Sequence, residues 1–171
     1  MKRILVVGCC GAGKTTLALQ LGKTFHLPVY HLDQLWWLPG WKENSCKKFD
    51  AELEKILRQD SWVLDGNYNR TLPKRLLYAD TVIWLDYPRR ISLWRALKRI
   101  FRYYGRTRAD MTDGCPERFD WAFLCYIWSF NQTMRPQLEE ALQNFSGTVI
   151  RIRRSRDIRN TMSRYGVDLQ Q

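Results

Sequence analysis

The nine residues GCCGAGKTT, from Gly8 to Thr16, put three glycines, a lysine and two threonines directly after the apolar run Ile4 to Val7. Glycine loses more conformational freedom on folding than any other residue, so such a cluster weakens a helix or strand interior. It is tolerable where the backbone must turn sharply or meet another group closely. The spacing fits G-x-x-x-x-G-K-[ST] at Gly8, Gly13, Lys14 and Thr15. The flanks fit too, with a strand-like run before the motif and helical periodicity after it. Gly8, Gly11, Ala12, Gly13, Lys14, Thr15 and Thr16 are therefore expected to wrap backbone N–H groups around the phosphates of ATP. Lys14 is expected at the β and γ oxygens, and the Thr15 hydroxyl on Mg²⁺.

Short branched runs recur at Ile4 to Val7, Val29 to Leu32, Trp62 to Leu64, Thr81 to Leu85 and Thr148 to Ile152. The segments between them carry helical spacing, so the pattern predicts an α/β fold with five parallel strands flanked by helices. The helices are predicted over Thr15 to Phe25, over Ser45 to Gln59 behind an Asn44 or Ser45 cap, from Arg89 onward, and over Arg118 to Gln143. On the third, Ile91, Leu93, Trp94, Leu97 and Ile100 are the expected apolar face. On the fourth, which carries Phe119, Phe123, Tyr126, Ile127 and Phe130, Pro136 is expected to bend or interrupt the helix. Residues 1–171 are expected to form one domain, with Gly105 to Pro116 as its long loop.

No run is long and apolar enough for a membrane span, and the odd count of five cysteines fits reduced thiols in a soluble, cytoplasmic protein. With two histidines and no ligand spacing among the cysteines, a zinc site is not expected. The net charge of +11 is concentrated. Pro88 to Arg108 holds eight cations and no acid, and Arg151 to Arg164 holds six arginines against Asp157. Focused positive charge attracts phosphate, whether of a nucleotide or of nucleic acid.

Two carboxylates stand where strands end. Asp65 closes the run Trp62 to Leu64, at the edge where parallel sheets place ligand groups, and can hold Mg²⁺-bound water or serve as a turn former. Asp33 follows the second strand and can orient or deprotonate an acceptor hydroxyl; the same position also suits a helix cap or a surface ion pair. Trp36, Trp37 and Trp41 are candidates for the wall of an aromatic acceptor pocket, or for core or lid packing.

The segment LDGNY resembles the strand end of adenylate kinases, with Arg70 matching their substrate-phosphate arginine across a one-residue insertion. The run ADTVIWLDYPRRISLWRALKRIFR resembles their next strand and the helix leading into the lid. The resemblance puts Arg95 and Arg99 at nucleotide-contacting arginines, and Arg153 with Arg154, Ser155 and Arg156 near the adenine. The chain also resembles the bacterial adenylate-kinase-like proteins labelled topology modulation proteins, through GCCGAGKTT, YHLDQLWWLPGW, LDGNY, GRTRADMTDGCPE and WSFNQTMRP. HLDQLWWLPGW lacks the threonine-glycine-aspartate pattern of adenylate kinases, and Asp33 instead resembles the acceptor-binding aspartate of shikimate-kinase-like enzymes.

The expectation is an ATP- and Mg²⁺-dependent phosphotransferase, a nucleotide or small-molecule kinase, that transfers the γ-phosphate to an unidentified acceptor. Lys14, Asp33 and Arg99 are its expected catalytic residues, Asp33, Trp36, Asp65 and Arg70 its acceptor side, and Thr15 and Asp65 its metal ligands. A lid over about residues 102–118 would bring Arg99, Arg102, Arg106, Arg108 and Arg118 to the transferring phosphate. The rival is a nucleic-acid-associated ATP-binding protein affecting DNA topology. It is the less favoured reading, because no helix-turn-helix, zinc-finger or RNA-recognition signature is present.

Overall fold

Residues 1–167 are described in the computed structural model. The chain runs β1 (Arg3–Gly8), α1 (Lys14–Phe25), β2 (Val29–His31), α2 (Leu32–Trp36), β3 (Trp37–Leu38), β4 (Lys42–Glu43) and α3 (Cys46–Leu57). It continues through β5 (Trp62–Asp65), α4 (Leu72–Tyr78), β6 (Thr81–Leu85), α5 (Arg89–Tyr103), α6 (Trp121–Gln143), β7 (Thr148–Ile152) and α7 (Ile158–Arg164). The five expected runs pair in parallel in the order β2-β5-β1-β6-β7, which makes β1 the central strand.

Alternation along β1 divides the core between the two faces of the sheet. Ile4 and Val6 pack with Leu17, Ala18 and Leu21 of α1 and Met162 of α7. Leu5 and Val7 pack with Phe49, Leu53, Ile56 and Leu57 of α3, Leu72 of α4 and Leu138 of α6. Each of these large side chains gains roughly 1.5–3 kcal/mol from leaving water. Ser45 caps α3 by accepting a hydrogen bond from the Lys48 N–H at 3.3 Å.

Two helices differ from their sequence expectation. On α5 the inward side is Ser92, Ala96 and Ile100, while Trp94 is 68% exposed and Ile91 lies at the surface. The reason is a close backbone approach, since a Cβ on Gly11 would come within 2.2 Å of the Ser92 carbonyl oxygen. Ser92 and Ala96 therefore face the glycine loop and Ile91 and Trp94 turn outward, while Ile100 is buried as expected and Leu93 packs against the core beside Ala96. α6 begins at Trp121, capped by Asp120, which leaves Phe119 exposed ahead of it. The helix runs through Pro136 without a break. Arg135 reaches Asp86 at 3.2 Å and Leu138 is buried, so tertiary contacts hold the turns around the proline, with an i,i+4 pair from Arg135 to Glu139 at 3.6 Å within the helix.

The short elements α2, α4 and α7 and the antiparallel pair β3–β4 were not legible as periodic runs. The pair β3–β4 turns at Gly40 and Trp41, both with positive φ, at 78° and 60°. Among the described residues no helix is long and apolar enough to cross a membrane. None of the five cysteines is in a disulfide.

Gly11 has φ +81°, so Gly11→Ala meets both a strained backbone and the Ser92 carbonyl. It is expected to lower unfolding free energy by about 2 kcal/mol or more. Urea denaturation checks this; an unchanged midpoint and slope would contradict the close approach.

Candidate active site

The loops after β1, β2 and β5 meet at the carboxyl edge of the sheet, where open parallel sheets receive ligands. Between Gly8 and Lys14 the backbone turns through positive φ at Gly8, Gly11 and Gly13. A Cβ on Gly8 would lie 2.4 Å from the Leu85 carbonyl oxygen, whereas one on Gly13 would meet nothing within 4 Å. Gly8 and Gly11 thus seat the loop against β6 and α5, and Gly13 opens it outward. Lys14 starts α1 and donates from Nζ to the carbonyl oxygens of Gly8 at 3.0 Å and Cys9 at 3.2 Å. Asn67, after β5, accepts from the Gly8 N–H at 3.1 Å. Burial pushes the Cys9 thiol up to about 12 and also raises Cys10, so both remain protonated beside the loop.

A cavity of about 480 Å³ opens beside Lys14. Its walls come from four sources. Asp33, Trp36, Trp37 and Trp41 belong to the segment after β2; Gly66, Asn67 and Tyr68 follow β5; Arg99 comes from α5; Phe123, Tyr126 and Met134 come from α6. The segment between α5 and α6 closes the top with Arg108, Met111, Glu117, Arg118 and Asp120. The volume lies within the usual range for small-molecule sites.

Asp33 is held by Tyr68, whose hydroxyl donates to Oδ1 at 2.8 Å. Burial, reinforced by Asp33, pushes the Tyr68 phenol up, so it stays a donor. Tyr68 takes a left-handed conformation, φ 39°, in a loop supported from beneath by Arg75. The Arg75 guanidinium is fully buried and donates to the carbonyl oxygens of Gly66, Asn67 and Tyr68. Burial lowers Arg75 to about 9, which leaves it charged at neutral pH. The tryptophans are half-buried. Trp36 meets Phe49 edge-on at 5.5 Å and Tyr68 at 6.0 Å, and Trp37 meets Trp41 at 5.4 Å. Trp36 thus joins the core to the cavity wall.

The closing segment is latched to the β3–β4 side of the cavity. The Gly40 N–H donates to Gly114 O at 2.8 Å, Trp41 Nε1 to Pro116 O at 2.9 Å, and Thr112 Oγ1 to Gln34 O at 3.2 Å. Glu117, buried beneath it, takes Arg99 at 3.0 Å on one carboxylate oxygen and Arg108 at 3.0 Å on the other. Arg108 also pairs with Asp110 at 3.0 Å.

Several expected residues lie elsewhere. Arg70 does not reach the cavity; it forms a two-pronged pair with Asp50 at 2.9 and 2.7 Å, because α3 presents that carboxylate beside it. Arg102 and Arg106 are exposed and do not line the cavity. Arg153 is exposed after β7, and Arg95 donates to the Ala12 carbonyl at 3.4 Å from the far side of the glycine loop. Thr15 sits in the first turn of α1, half-buried, and Thr16 is exposed. Asp65 is buried, and its Oδ1 meets His31 Nδ1 at 2.7 Å, the strands β2 and β5 placing the two residues opposite each other. The sequence reading missed His31, Tyr68, Arg75 and Glu117. The signal for Tyr68 was its place in LDGNY, one residue beyond the strand-end turn.

No protein-family model and no curated relative matches the sequence. Solved structures do match in shape. Shikimate kinase from Acinetobacter baumannii in complex with shikimate superposes with a TM-score of 0.61 at 15% identity, over 96% of this chain and 91% of that one. Shikimate kinase from Bacteroides thetaiotaomicron gives 0.57 at 16% identity, over 96% and 95%. The fold is that of the P-loop kinases. At such identity the likeness speaks for the fold, and the reaction has to be argued from the site.

Burial opposes protonation of His31, but the hydrogen bond and charge of Asp65 outweigh it and raise the imidazole above its ordinary value near 6.5. The stability from this pair is therefore fully present below that value and is lost as pH rises through the raised folded one. NMR titration of His31 is expected to give a midpoint above 6.5. His31→Gln is expected to flatten that part of the stability profile, and a midpoint at or below the ordinary value would contradict the pairing.

Proposed function

We propose that this chain is an ATP-dependent kinase that transfers the γ-phosphate to a hydroxyl of a small-molecule acceptor. The observation that carries the reading is that Lys14 and Asp33 line one cavity beneath Arg99 and Arg108. A phosphate-binding lysine, a carboxylate for a hydroxyl and two cations over the gap are the parts that phosphoryl transfer requires.

The loop amides from Gly11 to Thr16 hold the β-phosphate, and the open side at Gly13 leaves room for it. Lys14 exchanges the carbonyls of Gly8 and Cys9 for β and γ oxygens. Mg²⁺ needs few protein ligands when phosphates and water supply the rest; the Thr15 hydroxyl would hold it, with Asp65 for its water shell, and it would supply charge neutralisation on the γ-phosphate. Arg95 and Arg153 are assigned to the nucleotide, behind the loop and after β7.

Asp33 orients the acceptor hydroxyl. Tyr68 fixes one of its carboxylate oxygens and leaves the other for the acceptor. The acceptor oxygen bonds to the γ-phosphorus as the bond from that phosphorus to the β–γ bridging oxygen breaks, ADP leaves, and the hydroxyl proton passes to Asp33 and then to water. Arg99 and Arg108 turn from Glu117 to the equatorial oxygens, where they stabilise charge as it redistributes. Trp36 bounds the acceptor space.

A screen of hydroxylated compounds for acceptor-stimulated ADP release tests the reading. Lys14→Ala is expected to fold and to lose turnover by about 10²-fold or more, since it removes a charge aimed at phosphate and no core packing. Asp33→Asn is expected to lower kcat with acceptor by about 10²-fold while affinity for a non-hydrolysable ATP analogue stays unchanged. Undiminished turnover by a folded Lys14→Ala protein would contradict the assignment.

A further inference from the structure

The acceptor half of the cavity is charged and aromatic at once, and its charges are already matched. Each lining arginine has a carboxylate partner: Arg99 and Arg108 share Glu117, and Arg118 lies 3.8 Å from Asp120. The cation left without an ion pair in the lining is Lys14, which belongs to the triphosphate loop. With Arg99 and Arg108 turned to the γ-phosphate, an acceptor bearing its own carboxylate or phosphate would have only Arg118 left to pair with in the lining, and that arginine already lies beside Asp120. A cationic acceptor fares no better. The Arg118 guanidinium already stands 5.5 Å over the Trp41 ring, the face a ligand ammonium would use, and lining cations outnumber lining carboxylates by four to three.

What the lining offers is flat apolar surface and one hydrogen-bond acceptor. Trp37 and Trp41 meet edge-on, Tyr68 hydrogen-bonds to Asp33 and meets Trp36, and Phe123 joins the lining from α6. Half-buried tryptophans whose rings are not consumed by the core present π-faces that stack on planar rings. Asp33 lies at one end of this wall and keeps an oxygen for a hydroxyl. We propose that the acceptor is an uncharged planar heteroaromatic compound carrying an alcohol, of the nucleoside class, with its ring against Trp37 and its hydroxyl on Asp33. This rests on the kinase reading and narrows it. The products would be ADP and a nucleoside monophosphate, the acceptor proton leaving through Asp33.

The test measures binding apart from turnover. Isothermal titration calorimetry on the full chain, saturated with Mg²⁺ and a non-hydrolysable ATP analogue, compares adenosine, guanosine, cytidine and thymidine with their 5′-monophosphates, with shikimate and with choline. At least one nucleoside is expected to bind about tenfold or more tightly than its own monophosphate and than either other ion. Trp37→Ala is expected to weaken that nucleoside about tenfold, Trp37→Phe far less, and neither to change affinity for the ATP analogue. Tighter binding of a monophosphate, shikimate or choline than of every nucleoside overturns the proposal, as does an unaltered nucleoside affinity in Trp37→Ala. Phosphoryl transfer to an anionic acceptor alone would sink this inference and leave the kinase reading standing. Nucleoside binding without ADP release would do the reverse.

Discussion

Two backbone contacts set the position of everything else in the site. Gly8 lies against the Leu85 carbonyl at the end of β6, and Gly11 against the Ser92 carbonyl in α5, both closer than any side chain permits. These contacts seat the phosphate loop on the sheet edge and bring α5 alongside it. Arg99, two turns beyond Ser92, then overlooks the cavity that Lys14 enters. The small inward face of α5 and the exposure of Trp94 follow from the same constraint.

Buried charge shapes the rest of the cavity. Among the described residues Arg75 has no carboxylate partner; it donates to three successive carbonyls and so holds the loop that presents Tyr68 to Asp33. Glu117 does the corresponding work above, drawing Arg99 and Arg108 to one point while the segment around it hydrogen-bonds to the β3–β4 side. Partners of this kind are costly to remove, because the group left behind stays buried and unpaired. The segment that carries Glu117 thus ties Arg99 and Arg108 to the β3–β4 side of the cavity.

The five strands and the glycine loop were legible in the sequence because both rest on local rules: runs of branched residues, and a spacing that glycine alone permits. The sequence also marked Asp33 and the three tryptophans, which do face one cavity. Long-range partners were not legible. Arg70 reads as a substrate-phosphate arginine until Asp50, twenty positions away, is brought beside it. Arg99 and Arg108 belong to a stretch without acids, yet Glu117 returns to neutralise both. The inward face of α5 was legible in part: Ile100 is buried as its hydrophobicity suggested, whereas backbone contact, which hydrophobicity does not mark, set Ser92 and Ala96 inward. Pro136 signalled a bend or an interruption; the helix is not interrupted there, and the Leu138 and Arg135 contacts hold it.

The central claim is that a triphosphate and an acceptor meet between Lys14 and Asp33, with Glu117 yielding its arginines to phosphate. A crystal structure of the chain with Mg²⁺ and a non-hydrolysable ATP analogue tests it most directly, through the position of the γ-phosphate. The expected result is a γ-phosphate between Lys14 and Asp33, with Arg99 and Arg108 turned from Glu117 onto its oxygens. A triphosphate bound outside this cavity, or one bound while both arginines stay on Glu117, would contradict it.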